Sequence, residues 1–305
     1  MKQDINFSLA PIVLFTYKRT DTLILTVEAL KKNYLAMESE LIIYSDGPKS
    51  EEETTAVNDV RNYLKTVSGF KSVRINSSSQ NKGLANSIID GVSELLNVYE
   101  KVIVLEDDLI STPNFLDYMN QSLNLYQNNK NVFSISGFSF NLEVKDYSFD
   151  TYFLNRGWSW GWATWKDRWQ NLDWEIKDYD FFIRDIVAQK KFAQGGSDLN
   201  SMLKKQMTSN LDSWAIRWFY NQFQKNGITL YPVKSKILNN GFGREATHTK
   251  GSVKRYIPDL DKANKAEFNF NQKMEVTTIF QKKFITKMGY FSRIKSKIQT
   301  LFSRT

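Results

Sequence analysis

The feature that most constrains this chain is the alternation of short apolar runs with longer helical patterns across its first 140 residues. The apolar runs have the length and the β-branched content of buried strands, and the patterns between them have helical periodicity. This alternation predicts an α/β fold with a mainly parallel sheet flanked by helices. The predicted strands cover residues 11–17, 40–47, 71–78, 101–108 and 131–140, and the predicted helices cover 21–32, 51–67, 84–98 and a segment capped by Thr112 with Pro113 in its first turn.

Two of these strands end in carboxylates. Asp46 follows the second strand, and Glu106, Asp107 and Asp108 directly follow the apolar run 102–105. Ligands gather at the carboxyl ends of parallel strands, and three adjacent like charges require a positive partner. Carboxylate oxygens suit a hard ion such as Mg²⁺ or Mn²⁺ that carries a diphosphate. The alternative is a solvated turn whose acids favour the dipole of the next helix.

Composition narrows the possible classes of protein. Of the 305 residues, 41% are hydrophobic and 14% are aromatic, which excludes a wholly disordered chain. The chain contains no cysteine, so thiolate chemistry and disulfides are excluded. No signal-length or membrane-span-length apolar run occurs, and we therefore expect a cytoplasmic protein.

The positive charge is concentrated at the C-terminus. The net charge is +8, but seven basic residues and no acidic residue follow Glu275, so the rest of the chain carries only +1. This distribution weakens a nucleic-acid interpretation of the charge. The last 25 residues space apolar side chains helically between the basic ones, which predicts an amphipathic helix on an anionic membrane surface; a solvated tail is the alternative. Its apolar residues are Phe284, Met288, Phe291, Ile294, Ile298 and Leu301.

Several segments of the chain resemble those of a known family. The segment "VIVLEDDLISTPNFLDYM" is similar to the metal-binding segment of N-acetylglucosaminyltransferase I and its bacterial relatives, which are GT-A-fold glycosyltransferases that use nucleotide sugars. In the same order along the chain, "FTYKR", "IIYSDG", "NLDSWAIRW" and "YPVKSKILNNGFGREATH" resemble further segments of that family. The block "GWSWGWATWKDRW" is similar to bacterial glycosyltransferases of polysaccharide loci.

The resemblance implies a role for each matching residue in the donor site. Asp108 would bind Mn²⁺ or Mg²⁺, and Glu106 and Asp107 would contact the donor sugar and the ribose. The uridine would lie against Arg19 and Asp46, although an Asp-Gly pair such as Asp46-Gly47 also commonly forms a turn. The remaining donor-site candidates are Lys82, which is otherwise a surface lysine, and Arg244, Thr247 and His248 on a glycine-flanked loop that would close on the diphosphate.

The acceptor side is predicted from the second half of the chain. Inverting transfer needs a carboxylate near the acceptor hydroxyl, and the resemblance points to Asp212, with Asp198 as the fallback. The family has a pair of acids at this point, whereas this chain has Leu211-Asp212. Asp212 could also be a helix cap. Trp158 and Trp160 could stack on acceptor sugars, or they could form core beneath the site.

These observations predict a metal-dependent inverting glycosyltransferase. It would transfer a sugar, which the resemblance implies to be N-acetylglucosamine, from a UDP-sugar to a saccharide or lipid-linked acceptor during surface polysaccharide assembly at the inner membrane face. We expect a GT-A domain over 1–257, with a nucleotide-binding half (1–140) and an acceptor half (141–257), and a C-terminal extension over 258–305. The alternatives are a nucleotidyltransferase acting on sugar phosphates and a non-catalytic carbohydrate-binding protein.

Overall fold

The computed structural model describes residues 8–241 and 256–290, together with residues 292 and 294. Within them, ten strands form one eight-stranded sheet and one two-stranded sheet. The strands are β1 (Ile12–Thr16), β2 (Glu40–Ser45), β3 (Ser72–Ser77), β4 (Lys101–Glu106), β5 (Leu109–Ser111), β6 (Val132–Ser136), β7 (Thr151–Leu154), β8 (Trp162–Trp165), β9 (Ile228–Pro232) and β10 (Ile237–Asn239).

The helices of these residues flank the large sheet on both faces. They are α1 (Thr20–Lys31), α2 (Thr54–Leu64), α3 (Leu84–Val98), α4 (Phe115–Tyr126), α5 (Lys166–Trp169), α6 (Tyr179–Phe182), α7 (Ile186–Phe192), α8 (Leu199–Met207), α9 (Trp214–Gln224) and α10 (Thr278–Met288).

The strand order of the large sheet is β3-β2-β1-β4-β8-β6-β9-β7. Strands β1 to β4 pair in parallel, and only β7 and β8 run opposite to the other six. The predicted fold class, a mainly parallel sheet flanked by helices, is confirmed. The chain builds outward from β1 through β2 to β3 and then returns to place β4 on the other side of β1. The order therefore reverses between β1 and β4, and such switch points are where open α/β sheets bind ligands.

The sheet divides the interior into two cores. Strand β1 shows why, since its side chains alternate between the faces: Ile12 and Leu14 join one core while Val13 and Phe15 join the other. All four are at most 3% exposed. A strand buried on both faces reads as a continuous apolar run, which is why the sequence pattern locates it well.

Several sequence predictions about the elements need correction. The predicted cap Thr112 instead hydrogen bonds to Asn114 at 2.9 Å, and α4 begins only at Phe115, after Pro113. The residues between β4 and α4 form the short strand β5, which the apolar pattern did not separate from its surroundings.

The aromatic-rich region 151–169 contributes two strands to the sheet. Strand β8 enters between β4 and β6, and β7 forms an edge. Both run antiparallel to their neighbours and both are fully buried. The region that follows, up to residue 224, contains the short helices α6, α7, α8 and α9.

The segment after residue 255 packs onto the body of the protein as far as it is described. The buried Asp261 carboxylate accepts hydrogen bonds from Asn114 and from Lys236. In α10, Phe280 stacks on Tyr152 with ring centroids 3.9 Å apart, and Phe284 is fully buried. No helix among the described residues is long and apolar enough to span a bilayer.

Candidate active site

The three predicted carboxylates lie at the carboxyl end of β4. Glu106 is the last residue of the strand and pairs with Phe15 of β1. Asp107 and Asp108 form the turn that leads into β5. The buried run 102–105 anchors this turn, so the acids are held at the edge of the sheet beside the switch point between β1 and β4.

Arg19 is the positive partner of these acids. It follows β1 directly, and its Nη2 donates to a carboxylate oxygen of Asp107 and, at 2.9 Å, to Asp108 Oδ2. The Arg19 side chain is 24% exposed, whereas Asp107 and Asp108 are 5% and 14% exposed. The structure therefore brings Arg19 close to the three acids. Its guanidinium pairs with Asp107 and Asp108, whereas the resemblance implies a contact with uridine.

Asp107 is also held by β1 itself. Its Oδ2 accepts hydrogen bonds from the Thr16 hydroxyl at 3.1 Å and from the Tyr17 backbone N–H at 3.3 Å. Sequence reasoning missed Thr16 as a site residue, although its position at the end of a strand next to Arg19 was a usable signal. Of the three acids, Asp107 thus accepts the most hydrogen bonds from the protein, and Glu106 and Asp108 have more capacity to bind a ligand.

Burial and mutual repulsion perturb the ionisation of this cluster. Burial, and then the charges of Asp108 and Asp107, raise the pKa of Glu106 to about 8. Burial also raises the pKa of Asp107, although the Arg19 charge opposes that change. Burial lowers the pKa of Arg19, but the two aspartates more than offset it and the net shift is upward. Glu106 therefore retains its proton to a higher pH than an ordinary glutamate does, beside the ion pairs of Arg19 with the two aspartates.

Asp46 lies at the end of β2, but its carboxylate is used within the chain. Its two oxygens accept hydrogen bonds from the backbone N–H groups of Gly47, Lys82 and Gly83 at 2.9 to 3.0 Å. These contacts tie the β2 end to the loop before α3. They give Asp46 a structural role within the chain, although residues 46 and 47 do not form a turn. The contact of Asp46 with uridine remains a prediction.

Lys82 contributes only its backbone to this loop. Its side chain is half exposed, and its Nζ lies 3.6 Å from a carboxylate oxygen of Asp90 on α3. The arrangement matches the surface interpretation of this lysine, and its contact with donor phosphate remains a prediction.

A second polar cluster beside β1 was missed by sequence reasoning. The Tyr17 hydroxyl donates to the Glu53 carboxylate, and Lys18 Nζ donates to its other oxygen at 2.6 Å. The lysine and tyrosine hydrogen bonds lower the pKa of Glu53 to about 2, and burial followed by the Glu53 hydrogen bond raises that of Tyr17 to about 12. The cluster fixes the β1–α1 loop that carries Arg19.

Asp108 lies close to the chain that follows β10. The Asn240 backbone N–H donates to the Asp108 carbonyl at 2.8 Å, and a methyl group on Gly241 would lie 2.1 Å from Asp108 Oδ2. A larger residue at 241 would therefore require the Asp108 side chain to move. The predicted loop residues that follow, Arg244, Thr247 and His248, lie outside the described residues.

Asp212 lies at the same end of the sheet as the triad. Trp162 pairs with Val104, near the carboxyl end of β4, and it stacks on Trp214 at the start of α9 with centroids 5.0 Å apart. Asp212 precedes this helix with its side chain 69% exposed and 3.4 Å from Arg217. The cap of α9 is Ser213, not Asp212, because the Ser213 hydroxyl accepts from the Ile216 N–H.

The fallback base, Asp198, is held in a buried ion pair. Its two oxygens accept hydrogen bonds from Arg156 at 2.8 and 3.1 Å, and the Arg156 and Asp198 side chains are 4% and 13% exposed. Because both of its oxygens are hydrogen bonded to Arg156, the Asp198 carboxylate is suited to stabilising the start of α8 and is poorly placed to accept a proton from an acceptor hydroxyl.

The two candidate acceptor tryptophans belong to one aromatic cluster. Trp158 is 8% exposed and stacks on Phe138 with centroids 5.4 Å apart, so its ring serves as core. Trp160 is only partly buried and meets Trp158 and Phe138 edge-on. Of the two, Trp160 is the better placed to meet a ligand.

A surface cavity of about 530 Å³ lies between α2 and β3, around Arg61, Lys65 and Ile75, and none of these residues belongs to the acidic site. Among the described residues, no three acidic or histidine side chains converge as a group that could hold a metal ion. A cation here would depend on one or two carboxylates and on oxygens from the ligand.

Comparison with known proteins finds similarity only at the level of structure. No protein-family model and no curated protein sequence matches the chain. A crystal structure of residues 1–349 of TarS from S. aureus aligns with 76% of this chain and 60% of its own length, at 9% identity and a TM-score of 0.43. A second crystal structure of S. aureus TarS aligns with 75% of this chain and 36% of its own length, at 9% identity and a TM-score of 0.40.

A third similar structure is a mannosyltransferase, PcManGT from Pyrobaculum calidifontis in complex with GDP-Man and Mn²⁺. It aligns with 45% of this chain and 39% of its own length, at 9% identity and a TM-score of 0.31. The chain thus spans less than two thirds of each of these structures. Function has to be argued from the site residues themselves.

Proposed function

We propose that the protein is a glycosyltransferase that takes its sugar from a nucleotide-diphosphate donor. One observation carries the proposal: Arg19 pairs with Asp107 and Asp108 at the switch point of a mainly parallel sheet, between β1 and β4, and Glu106 is the last residue of β4 next to them. This is where such sheets bind nucleotides, and carboxylates with a cation suit a sugar diphosphate.

The residues of the site fit a divalent cation, Mn²⁺ or Mg²⁺. Asp108 already forms an ion pair with a cationic group, the guanidinium of Arg19, and Glu106 lies near Asp108. One or two carboxylates completed by phosphate oxygens and water is the usual ligand set of Mg²⁺ and related ions. When bound, the ion would offset negative charge on the departing diphosphate. Arg19 would then be free to turn toward the donor.

We further propose that transfer inverts the anomeric centre, with Asp212 as the base. Its exposed carboxylate can reach an incoming hydroxyl, whereas Asp198 is held by Arg156. As the hydroxyl oxygen bonds to the anomeric carbon, Asp212 takes its proton and the bond to the diphosphate breaks. Trp160 would stack on the acceptor sugar.

The finer assignments are proposals that rest on the resemblance to N-acetylglucosaminyltransferase I. They are a UDP-sugar donor, for which the resemblance implies UDP-N-acetylglucosamine, a saccharide or lipid-linked acceptor, and a cytoplasmic role in surface polysaccharide assembly. Arg244, Thr247 and His248 would close on the diphosphate.

Two other functions are less well supported. A nucleotidyltransferase would be expected to have a glycine-rich loop after the first strand, and this chain has Tyr17-Lys18-Arg19 there. A non-catalytic carbohydrate-binding protein would give no reason for three acids at the switch point. The largely buried aromatic cluster around Trp158 also offers it little exposed stacking surface.

The proposal is tested by calorimetric titration of UDP into the protein with and without Mn²⁺. We expect binding that depends on the metal and is weakened at least tenfold in Asp108→Ala. Asp59→Ala, which changes an exposed aspartate of α2, is the matched control and should bind as the wild type does. If UDP fails to bind with any metal, the same titration with GDP separates a different donor from the carbohydrate-binding alternative.

A further inference from the structure

An exposed apolar patch lies on the segment around α6 and α7. It consists of Phe181, Ile183, Ile186 and Val187, whose side chains are 78%, 46%, 65% and 62% exposed. Four large apolar side chains exposed within seven residues form the densest such cluster among the described residues. Contiguous exposed apolar surface of this kind marks a site of association with a partner or a membrane.

The segment that carries the patch is firmly packed. Phe182 and Phe192 are buried and meet Tyr220 of α9 edge-on, with centroids 5.1 and 5.6 Å away. The Gln189 side chain donates to the Ile183 carbonyl at 2.9 Å, which ties α7 to the turn before it. The apolar side chains are therefore presented outward by an anchored element.

Basic side chains border the patch. Lys190 and Lys191 lie one helical turn after Ile186 and Val187, so each lysine shares a helix face with an apolar residue. Arg184 is exposed between the two apolar pairs. Asp185 is occupied as the cap of α7, where it accepts from two backbone N–H groups at 2.9 Å. The exposed acid Asp180 leaves the border net positive.

We infer that this patch docks on a membrane surface that contains anionic lipids. Apolar side chains that enter the headgroup region, bordered by lysine and arginine that meet lipid phosphates, are the signature of interfacial binding. The charge of the border favours this occupant, because its three cations outnumber its two acids, Asp180 and Asp185, and an uncharged apolar partner would not use that excess.

The inferred membrane surface is formed by residues 181–191 and uses none of the side chains of the C-terminal basic tail. It also lies in the helical layer that carries Asp212, since α8 packs between α7 and α9. The inference goes beyond the proposed function, and its test uses neither donor nor acceptor, so the two can fail independently.

Because the chain has no cysteine, single labels report on single positions. We would label Phe181→Cys with an environment-sensitive fluorophore and add vesicles of phosphatidylcholine with or without phosphatidylglycerol. A blue shift that requires phosphatidylglycerol is expected at position 181. Leu25→Cys, on an exposed apolar position of α1, is the control and should not shift.

Vesicle co-sedimentation of the full chain gives the affinity. Lys190→Gln/Lys191→Gln should weaken binding about 25-fold, since each basic residue near an anionic surface contributes roughly fivefold. Ile186→Ser/Val187→Ser should weaken it at least tenfold. Leu25→Ser and Lys32→Gln/Lys65→Gln are matched controls and should bind as the wild type does. All these chains retain the C-terminal tail, so its contribution is constant.

Two outcomes would overturn the inference. Patch variants that sediment with vesicles as the wild type does would assign any binding to the rest of the chain. A wild type that self-associates in light scattering, together with a monomeric Phe181→Ser variant and no fluorescence shift on vesicles, would assign the patch to a second copy of this chain.

Discussion

At the scale of residues, the three acids at the end of β4 are stabilised by Arg19, which pairs with two of them and offsets one negative charge. Asp107 is buried and would be costly to hold ionised without this partner. Arg19 and a divalent cation would both neutralise Asp108, so we expect them to compete for the same carboxylate.

This competition can be measured with Arg19→Met, which keeps an unbranched apolar side chain and removes the charged guanidinium. In metal-free buffer we expect the free energy of unfolding to fall by about 3 kcal/mol, because Asp107 loses a buried partner. Mn²⁺ should then stabilise the variant more than it stabilises the wild type in thermal unfolding.

Lys18→Met is the control for Arg19→Met, since Lys18 pairs with Glu53 at a more exposed site and should matter by less than about 1 kcal/mol. Equal stabilisation of the wild type and Arg19→Met by Mn²⁺ would show that the metal and Arg19 do not share a site.

Substitutions of the two candidate bases should have different effects, one on turnover and the other on stability. Asp212→Asn should lower turnover by about 100- to 10,000-fold with little change in melting temperature or UDP affinity, because the side chain is exposed and acts only in the reaction. Asp198→Asn should instead lower the free energy of unfolding by about 3–5 kcal/mol, because it leaves Arg156 buried without its full partner. An active Asp212→Asn enzyme would remove Asp212 from the mechanism.

At the scale of elements, one carboxylate joins β2 to the loop before α3. Asp46 accepts three backbone hydrogen bonds, and Gly47 approaches the Gln80 backbone so closely that a methyl group would lie 2.5 Å from it. The loop before α3 is therefore held against the end of β2 by contacts with its backbone.

Asp46→Ala should release this loop. We expect a loss of about 1–3 kcal/mol in the free energy of unfolding, because three N–H groups lose a charged acceptor. Hydrogen exchange of the amides of residues 82–86 should accelerate, while amides of α9 should not change. Unchanged exchange at Lys82 and Gly83 would contradict the tether.

At the scale of the whole molecule, α10 completes one of the two cores. Its apolar face was predicted to bind a membrane, but Phe280, Phe284 and Met288 are buried against the sheet. The described part of the tail therefore uses its apolar side chains within the protein. Membrane binding by the remainder of the tail stays a prediction, as does the cytoplasmic location.

Two neighbouring positions of α10 test this packing. Phe284→Ala should lower the free energy of unfolding by about 3–5 kcal/mol, since it empties a fully buried site. Ile285→Ala, at a 41% exposed position of the same helix, should change it by less than about 0.5 kcal/mol. Chemical denaturation of the full chain measures both, and equal small effects would show that α10 does not contribute to the core.

The sequence by itself determined the parallel half of the sheet. Strands such as β1 and β4 are buried on both faces, so their pattern is a continuous apolar run that local reading detects. It also placed Glu106, Asp107, Asp108 and Arg19 at the ends of such strands, because strand ends follow directly from where an apolar run stops.

Only the tertiary structure decided the rest, because it depends on contacts between residues distant in sequence. The antiparallel entry of β8 beside β4 is set by packing, and its tryptophans could equally have belonged to a helix or a loop. The pairing of Arg19 with Asp107 joins residues 88 positions apart. Likewise, α10 has an amphipathic pattern that suits a membrane or a core, and the open apolar edge beside Tyr152 decided between them.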